Sequence, residues 1–186
     1  LKSNKKEVDV LRKYGLRSGY ILVLGNGKPH KNLGVVLEIS NRLSRRVVFV
    51  GVPEANRKRW KRLYPSTKAV WIKYASEKEL PAIIKGAFCL AQPSTAEGYG
   101  YPPLEAMACG IPAVISNIPA LTETTTGHAL SADPCVPKEW IEAFEALEDK
   151  QIYLSQVEMG LKWVERFQGL KSWSDHLSDI KNMVGR

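Results

Sequence analysis

Short, nearly continuous apolar runs recur along the chain: "YILVLG" (20–25), "RVVFVGV" (46–52), "FCLAQPS" (88–94) and "IPAVIS" (111–116). A strand with one wet face alternates apolar and polar residues, whereas these runs scarcely alternate, so they read as strands covered on both sides. "KAVWIKY" (68–74) and "HALSAD" (128–133) read as further strands. Between them lie stretches with helical spacing: "NLGVVLEISNRL" (32–43), a basic segment from about 54 to 64, and "SEKELPAIIKGA" (76–87). In the last of these, Ser76 and Glu79 fit a capping box. Strand and helix in alternation, joined by right-handed crossovers, give an α/β fold: a doubly wound, Rossmann-like parallel sheet with helices on both faces. From Pro137 onward the spacing is helical to the end. Trp173, Leu177, Ile180 and Val184 form one stripe of that final stretch, which is expected to pack on something.

The 186 residues suffice for one ordinary domain with a real core. At 44% hydrophobic and 25% charged the composition is that of a globular protein and excludes a disordered one. No apolar run approaches the roughly 20 residues that span a bilayer. No basic-then-apolar leader opens the chain, which starts at Leu1 in the polar stretch "LKSNKKEVDVLRKYG". Such a start is expected of a segment cut from a longer protein. Cys89, Cys109 and Cys135 are odd in number, at unrelated spacings and without a CxxC, which favours a reducing cytoplasm and no structural metal.

The net charge of +8 is densest in "NRKRWKRLY", where Arg57, Lys58, Arg59, Lys61 and Arg62 surround Trp60. Trp60, Leu63 and Tyr64 stand at i, i+3 and i+4, so a helix is expected to bury them together and leave the cations in water. An anionic membrane surface or an acidic acceptor is the next reading of these cations. Nucleic acid is disfavoured, because no zinc-finger, RNA-recognition or helix-turn-helix pattern accompanies the charge.

In a doubly wound sheet, ligands bind beyond the carboxyl ends of the strands. Two loops in that position stand out. "GNGKPHKN" (25–32) combines turn-forming glycines with Lys28, His30 and Lys31 at the start of a helix, where anions are favoured. It fits neither GxGxxG nor GxxxxGK[ST], so a basic-rimmed turn and a phosphate site both remain open. The second loop is "TAEGYGYPPLEAMACG" (95–110), in which seven residues lie between Glu97 and Glu105. Pro102 and Pro103 suit the first turn of a helix, which places Glu105 in that turn and Glu97 back in the loop. Taken singly, Glu105 could complement the helix dipole and Glu97 could be an exposed loop residue. Gly98 and Gly100 shift the balance, since they let backbone amides approach a ligand oxygen. Two carboxylates, each able to accept from a vicinal diol, with amides between them, suit a ligand built as sugar, diphosphate and second sugar.

With these residues the chain resembles glycosyltransferase family 4, the group 1 glycosyltransferases, specifically the C-terminal, donor-binding half of their two-domain GT-B fold. The resemblance runs from "YILVLGNGKPHKNL" through "ELPAIIKGAFCLAQPSTAEGYGYPPLEAMACGIPAVIS" to "HALSADP". It implies that Glu97 contacts the transferred sugar and is the catalytic residue. It implies that Gly98, Tyr99, Gly100 and Tyr101 present amides to phosphate and sugar, and that Glu105 holds the ribose. Lys31 matches the lysine of the family's basic pair on the diphosphate. Asn26 stands where the partner arginine is usual, with Lys28 or His30 as substitutes. The base is expected near Tyr74 and Ala75, where Lys73 replaces the family's usual glycine.

The resemblance further implies sugar transfer with retention of configuration, without a metal or other cofactor, in polysaccharide assembly at the cytoplasmic side of a membrane. It leans towards GDP-mannose as donor and towards a glycan or lipid-linked acceptor. Residues 1–19 are then an interdomain segment and 20–170 the donor-binding domain. Residues 171–186 are a helix directed towards an N-terminal domain absent from this chain. A sugar-nucleotide epimerase of similar fold and a non-catalytic basic binding module are the alternatives; a phosphorylase would need a pyridoxal-phosphate lysine context that the chain does not show.

Overall fold

In the computed structural model, which describes residues 5–169, helix α1 (Lys5–Lys13) precedes β1 (Tyr20–Leu24). A 3-10 turn (Pro29–Lys31) follows, then α2 (Leu33–Ile39), β2 (Val47–Val50), α3 (Glu54–Leu63), β3 (Val70–Ile72) and α4 (Leu80–Lys85). The second half runs β4 (Ala87–Gln92), α5 (Tyr101–Ala108), β5 (Ala113–Ser116), α6 (Pro119–Thr125), β6 (Leu130–Ala132), α7 (Pro137–Ala146) and α8 (Lys150–Glu165). The six strands form one sheet in the order β3-β2-β1-β4-β5-β6. Every neighbouring pair is parallel. This is the doubly wound order, and it reverses direction between β1 and β4, which opens a crevice at their carboxyl ends.

The nearly continuous apolar strands are explained by what covers them. On one face Val23, Phe49 and Val114 meet Val36 and Leu37 of α2 and Trp140 and Phe144 of α7. On the other, Leu22, Val48 and Leu90 meet Leu11 of α1 and Ile83 and Ile84 of α4. A third cluster joins Leu104 and Met107 of α5 to Ile115, Leu121 and Val164 of α8. Gly160 of α8 packs so closely on Met107 that a Cβ there would stand 2.9 Å from its Cγ. Trp140 is fully buried, and its indole N–H donates to the Asp133 carbonyl at 2.9 Å. Burial of so large an aromatic is worth about 3 kcal/mol, provided its polar edge stays bonded in this way.

Three local expectations are corrected. The Ser76–Glu79 pair forms half of the expected capping box, with the Ser76 N–H donating to the Glu79 carboxylate at 3.3 Å, but it closes the turn that leads into α4, which starts only at Leu80. The Glu79 carboxylate also accepts from Ser76 Oγ at 2.7 Å, Tyr14 OH at 2.9 Å and Lys13 Nζ at 2.5 Å. These donors, the Lys13 ammonium first, lower its pKa to about 2. In α3, Trp60 and Tyr64 turn inward while Leu63 stays 53% exposed. Trp60 and Tyr64, four apart, rest on Gly34 of α2. Finally, the helical stretch after Pro137 is broken, because the Asp149 carboxylate caps α8 by accepting from the N–H groups of Gln151 and Ile152.

The stretch 1–19 contributes α1, whose Glu7 and Leu11 are buried and whose Glu7 carboxylate accepts from Lys85 at 2.8 Å. The expected helix over 171–186, with its stripe of Trp173, Leu177, Ile180 and Val184, lies outside the described residues. Among the described residues no helix is long and apolar enough to cross a membrane.

Candidate functional site

The two loops singled out in the sequence leave adjacent central strands, β1 and β4, and meet over the crevice. They are tied by backbone, since the Thr95 N–H donates to the His30 carbonyl at 2.8 Å. They are also tied by charge. Lys31 Nζ lies 2.6 Å from Glu97 Oε1, with the two side chains only 17% and 11% exposed. The expected phosphate contact and the expected sugar contact are therefore ion-paired to each other.

The first loop is shaped by polar turns. Asn26 Oδ1 accepts from the Lys28 N–H at 3.1 Å, and Asn56 of α3 donates to the Gly27 carbonyl at 3.0 Å. Asn32 adopts a left-handed conformation (φ 47°) at the start of α2 and donates through Nδ2 to the Pro134 carbonyl at 2.8 Å. Asn26 and Lys28 are exposed on the rim, while Lys31 reaches inward.

Glu97 is held by more than Lys31. Ser94 Oγ donates to the same Oε1 at 2.6 Å and Gln92 Nε2 at 2.5 Å. Burial pushes the carboxyl up, but Lys31, Ser94 and Gln92 outweigh it and leave the pKa below its usual value. Glu97 is thus an anion at neutral pH, with Oε1 accepting from three donors and no donor to Oε2 among the described residues. Gln92 and Ser94 were missed by the sequence reading. The one available signal was a glutamine ending an otherwise apolar strand, and its fully buried Oε1 has no partner among the described residues.

The loop continues through Gly98, Tyr99 and Gly100, whose amides donate to no backbone acceptor among the described residues. The Tyr99 and Tyr101 rings lie 4.7 Å apart on the exposed side. Gly100 is left-handed (φ +88°), and a Cβ there would stand 2.5 Å from Leu121 Cδ2. Because that conformation starts α5 at Tyr101, Glu105 lies beyond the first turn, not within it as its spacing from the prolines suggested. The helix-dipole reading of Glu105 loses its basis accordingly. Tyr74 and Ala75 follow β3 at the sheet edge, two strands from β1, with Tyr74 71% exposed. The structure brings Lys31 and Glu97 together and sets Tyr74 and Ala75 at one end of the same carboxyl-end surface.

Replacing Gly100 with alanine is expected to destabilise the fold by about 2 kcal/mol or more, because left-handed strain adds to displacement of the buried Leu121. Gly98→Ala is the control, since a Cβ at Gly98 meets nothing within 4 Å. Urea midpoints should drop for the first substitution and stay within about 0.5 kcal/mol for the second.

Residues 11–163 match the family model described as "Glycosyl transferases group 1". Over 136 residues the chain is 33% identical to O-antigen chain mannosyltransferase B of Escherichia coli, covering 67% of this chain and 36% of that protein. Over 118 residues it is 31% identical to O-antigen chain mannosyltransferase RfbU of Salmonella typhimurium (strain LT2), covering 63% of this chain and 30% of that protein. The chain thus spans about a third of the length of the curated relatives it matches. Among solved structures it is similar to Anabaena Alr3699/HepE in complex with UDP-glucose. The TM-score there is 0.79 at 14% identity, over 97% of this chain and 53% of that one. It is also similar to the C-terminal domain of a glycosyl transferase group 1 family protein (LpcC) from Francisella tularensis. That match has a TM-score of 0.73 at 13% identity, over 91% of this chain and 96% of that domain. At such identities these likenesses establish the fold.

Proposed function

Because this chain belongs to the group 1 glycosyltransferases, we propose that it is the donor-binding part of a retaining hexosyltransferase that needs no metal. Its donor is a nucleoside-diphosphate sugar; the names of its curated relatives favour mannose as the sugar, and the sequence leans towards GDP as its carrier. A glycan or lipid-linked acceptor completes the reaction, held by a further domain of a longer protein. Free cysteines, two buried and one exposed, suit a reducing cytoplasm, where such donors would be met.

The observation that carries this reading is the Lys31–Glu97 pair spanning the crevice at the reversal of strand order. An ammonium has three donors, so Lys31 can keep Glu97 and still take a phosphate oxygen. The amides of Gly98 to Tyr101 add donors to the diphosphate. As the bond from sugar to phosphate breaks, negative charge grows on the departing nucleoside diphosphate. Fixed donors of this kind stabilise it most in that state. Glu97 Oε2 faces the other need, accepting from hydroxyls of the transferred sugar and fixing its orientation. Glu105, one turn further on, takes the ribose diol, and the base lies towards Tyr74 and Ala75.

Calorimetric titration with UDP-, GDP-, ADP- and dTDP-sugars tests the reading, with GDP-mannose expected to bind most tightly. Glu105→Gln should weaken nucleoside diphosphate and nucleotide-sugar alike, by about 1–2 kcal/mol, because an amide keeps one acceptor but loses the charge. Failure of all four donors to bind would sink the proposal.

A further inference from the structure

The basic cluster of the sequence plays no part in this chemistry, and the fold explains where it goes. Helix α3 lies beside the edge strand β3 and has no buried residue. Trp60 and Tyr64 rest on α2, which turns Lys58, Arg59, Lys61, Arg62 and Leu63 outward, all of them exposed. Little charge on this face is neutralised within the protein. Lys58 meets Glu54 at 3.4 Å with both side chains mostly in water, and Arg59 lies over the Trp60 ring at 5.8 Å. Lys61 and Arg62 have no partner among the described residues.

We propose that this outer face of α3 docks on the anionic surface of a phospholipid bilayer. Four cations on the outer face of one ten-residue helix supply the attraction, at about fivefold in partition per lysine or arginine. Leu63 decides between a membrane and a dissolved polyanion. Leu63, three residues after Trp60, flanks the cationic face and is 53% exposed; it gains nothing from phosphates in water but reaches the acyl boundary when the helix lies flat in the headgroups. The docking also has a consequence for the crevice. Asn56, in the first turn of α3, holds the Gly27 carbonyl of the loop after β1. A helix resting on lipid would therefore set the donor loop at a fixed height above the surface on which a lipid-linked acceptor lies. The inference itself does not depend on the identity of the donor.

Vesicle co-sedimentation of this chain tests it. Binding is expected to phosphatidylcholine vesicles containing about one third phosphatidylglycerol, with release at high salt, and not to phosphatidylcholine alone. Replacing Lys58, Arg59, Lys61 and Arg62 together with glutamine should lower partition by roughly several hundredfold. Leu63→Ser should lower it by about tenfold at unchanged charge. Since all five side chains are exposed, both variants should keep the thermal midpoint of the unaltered chain, which separates lost docking from lost folding. Equal binding to neutral vesicles, undiminished binding by the fourfold variant, or tight binding to a short single-stranded oligonucleotide without vesicle binding would each overturn the proposal.

Discussion

Lys31→Ala is expected to weaken nucleoside diphosphate binding by roughly 10- to 150-fold while leaving nucleoside binding within about twofold. A charge-assisted hydrogen bond to phosphate is worth about 1.5–3 kcal/mol, which sets that range. The geometry places the result towards its upper end. Removing the lysine also leaves the Glu97 carboxylate, formerly 2.6 Å from its ammonium, unneutralised beside the diphosphate. Lys28, on the rim of the same loop, is exposed to water, so it offers little compensation. Isothermal titration with both ligands measures the difference. Equal losses for nucleoside and nucleoside diphosphate would point to a folding defect instead.

Glu97→Gln should move its two ligands in opposite directions. With the carboxylate gone, Lys31 faces the diphosphate without a competing anion, and nucleoside diphosphate binding tightens by about fivefold, or about 1 kcal/mol. The nucleotide-sugar loses its charged acceptor, so its advantage over the plain diphosphate shrinks or inverts. In the longer protein, turnover should fall by about 10²–10³, the usual cost of deleting a fixed electrostatic group at a reacting centre. Ser94 and Gln92 keep the replaced side chain in place, since an amide oxygen can accept both of their bonds. If Glu97→Gln instead abolishes nucleoside diphosphate binding while Glu105→Gln spares it, the donor lies in the reverse orientation.

Residue type and spacing made the sheet legible. Strands such as "YILVLG" and "FCLAQPS" are apolar throughout because both faces are covered, and that pattern survives without knowledge of the partners. That the two loops leave the carboxyl ends of strands was legible for a related reason. Glycines, prolines and acids at a strand-to-helix junction have few other uses. Features that depend on a distant partner were not legible. Nothing local says that Lys31 and Glu97 pair across 66 residues, or that Gln92 and Ser94 share the same oxygen. Glu105 falls just past the first turn because the left-handed Gly100 lets the helix start at Tyr101, one residue before its prolines. The spacing showed that Ser76 and Glu79 bond each other, but not that Lys13 and Tyr14, more than 60 residues earlier, share the same carboxylate.

The reversal of strand order between β1 and β4 also bears on how the chain is made. β1 pairs with β2 across a short crossover, but its other neighbour, β4, begins only at Ala87. While synthesis proceeds, a half-sheet of β3, β2 and β1 leaves open, besides the β3 edge that stays an edge, the strand "YILVL", which carries no charge or proline to discourage pairing with another copy. Closing the crevice is therefore the long-range step of folding, and it sets the interval during which the nascent chain is most exposed to aggregation. The seam that gives the protein a place to hold its ligand is the same seam through which it is most easily lost before it is finished.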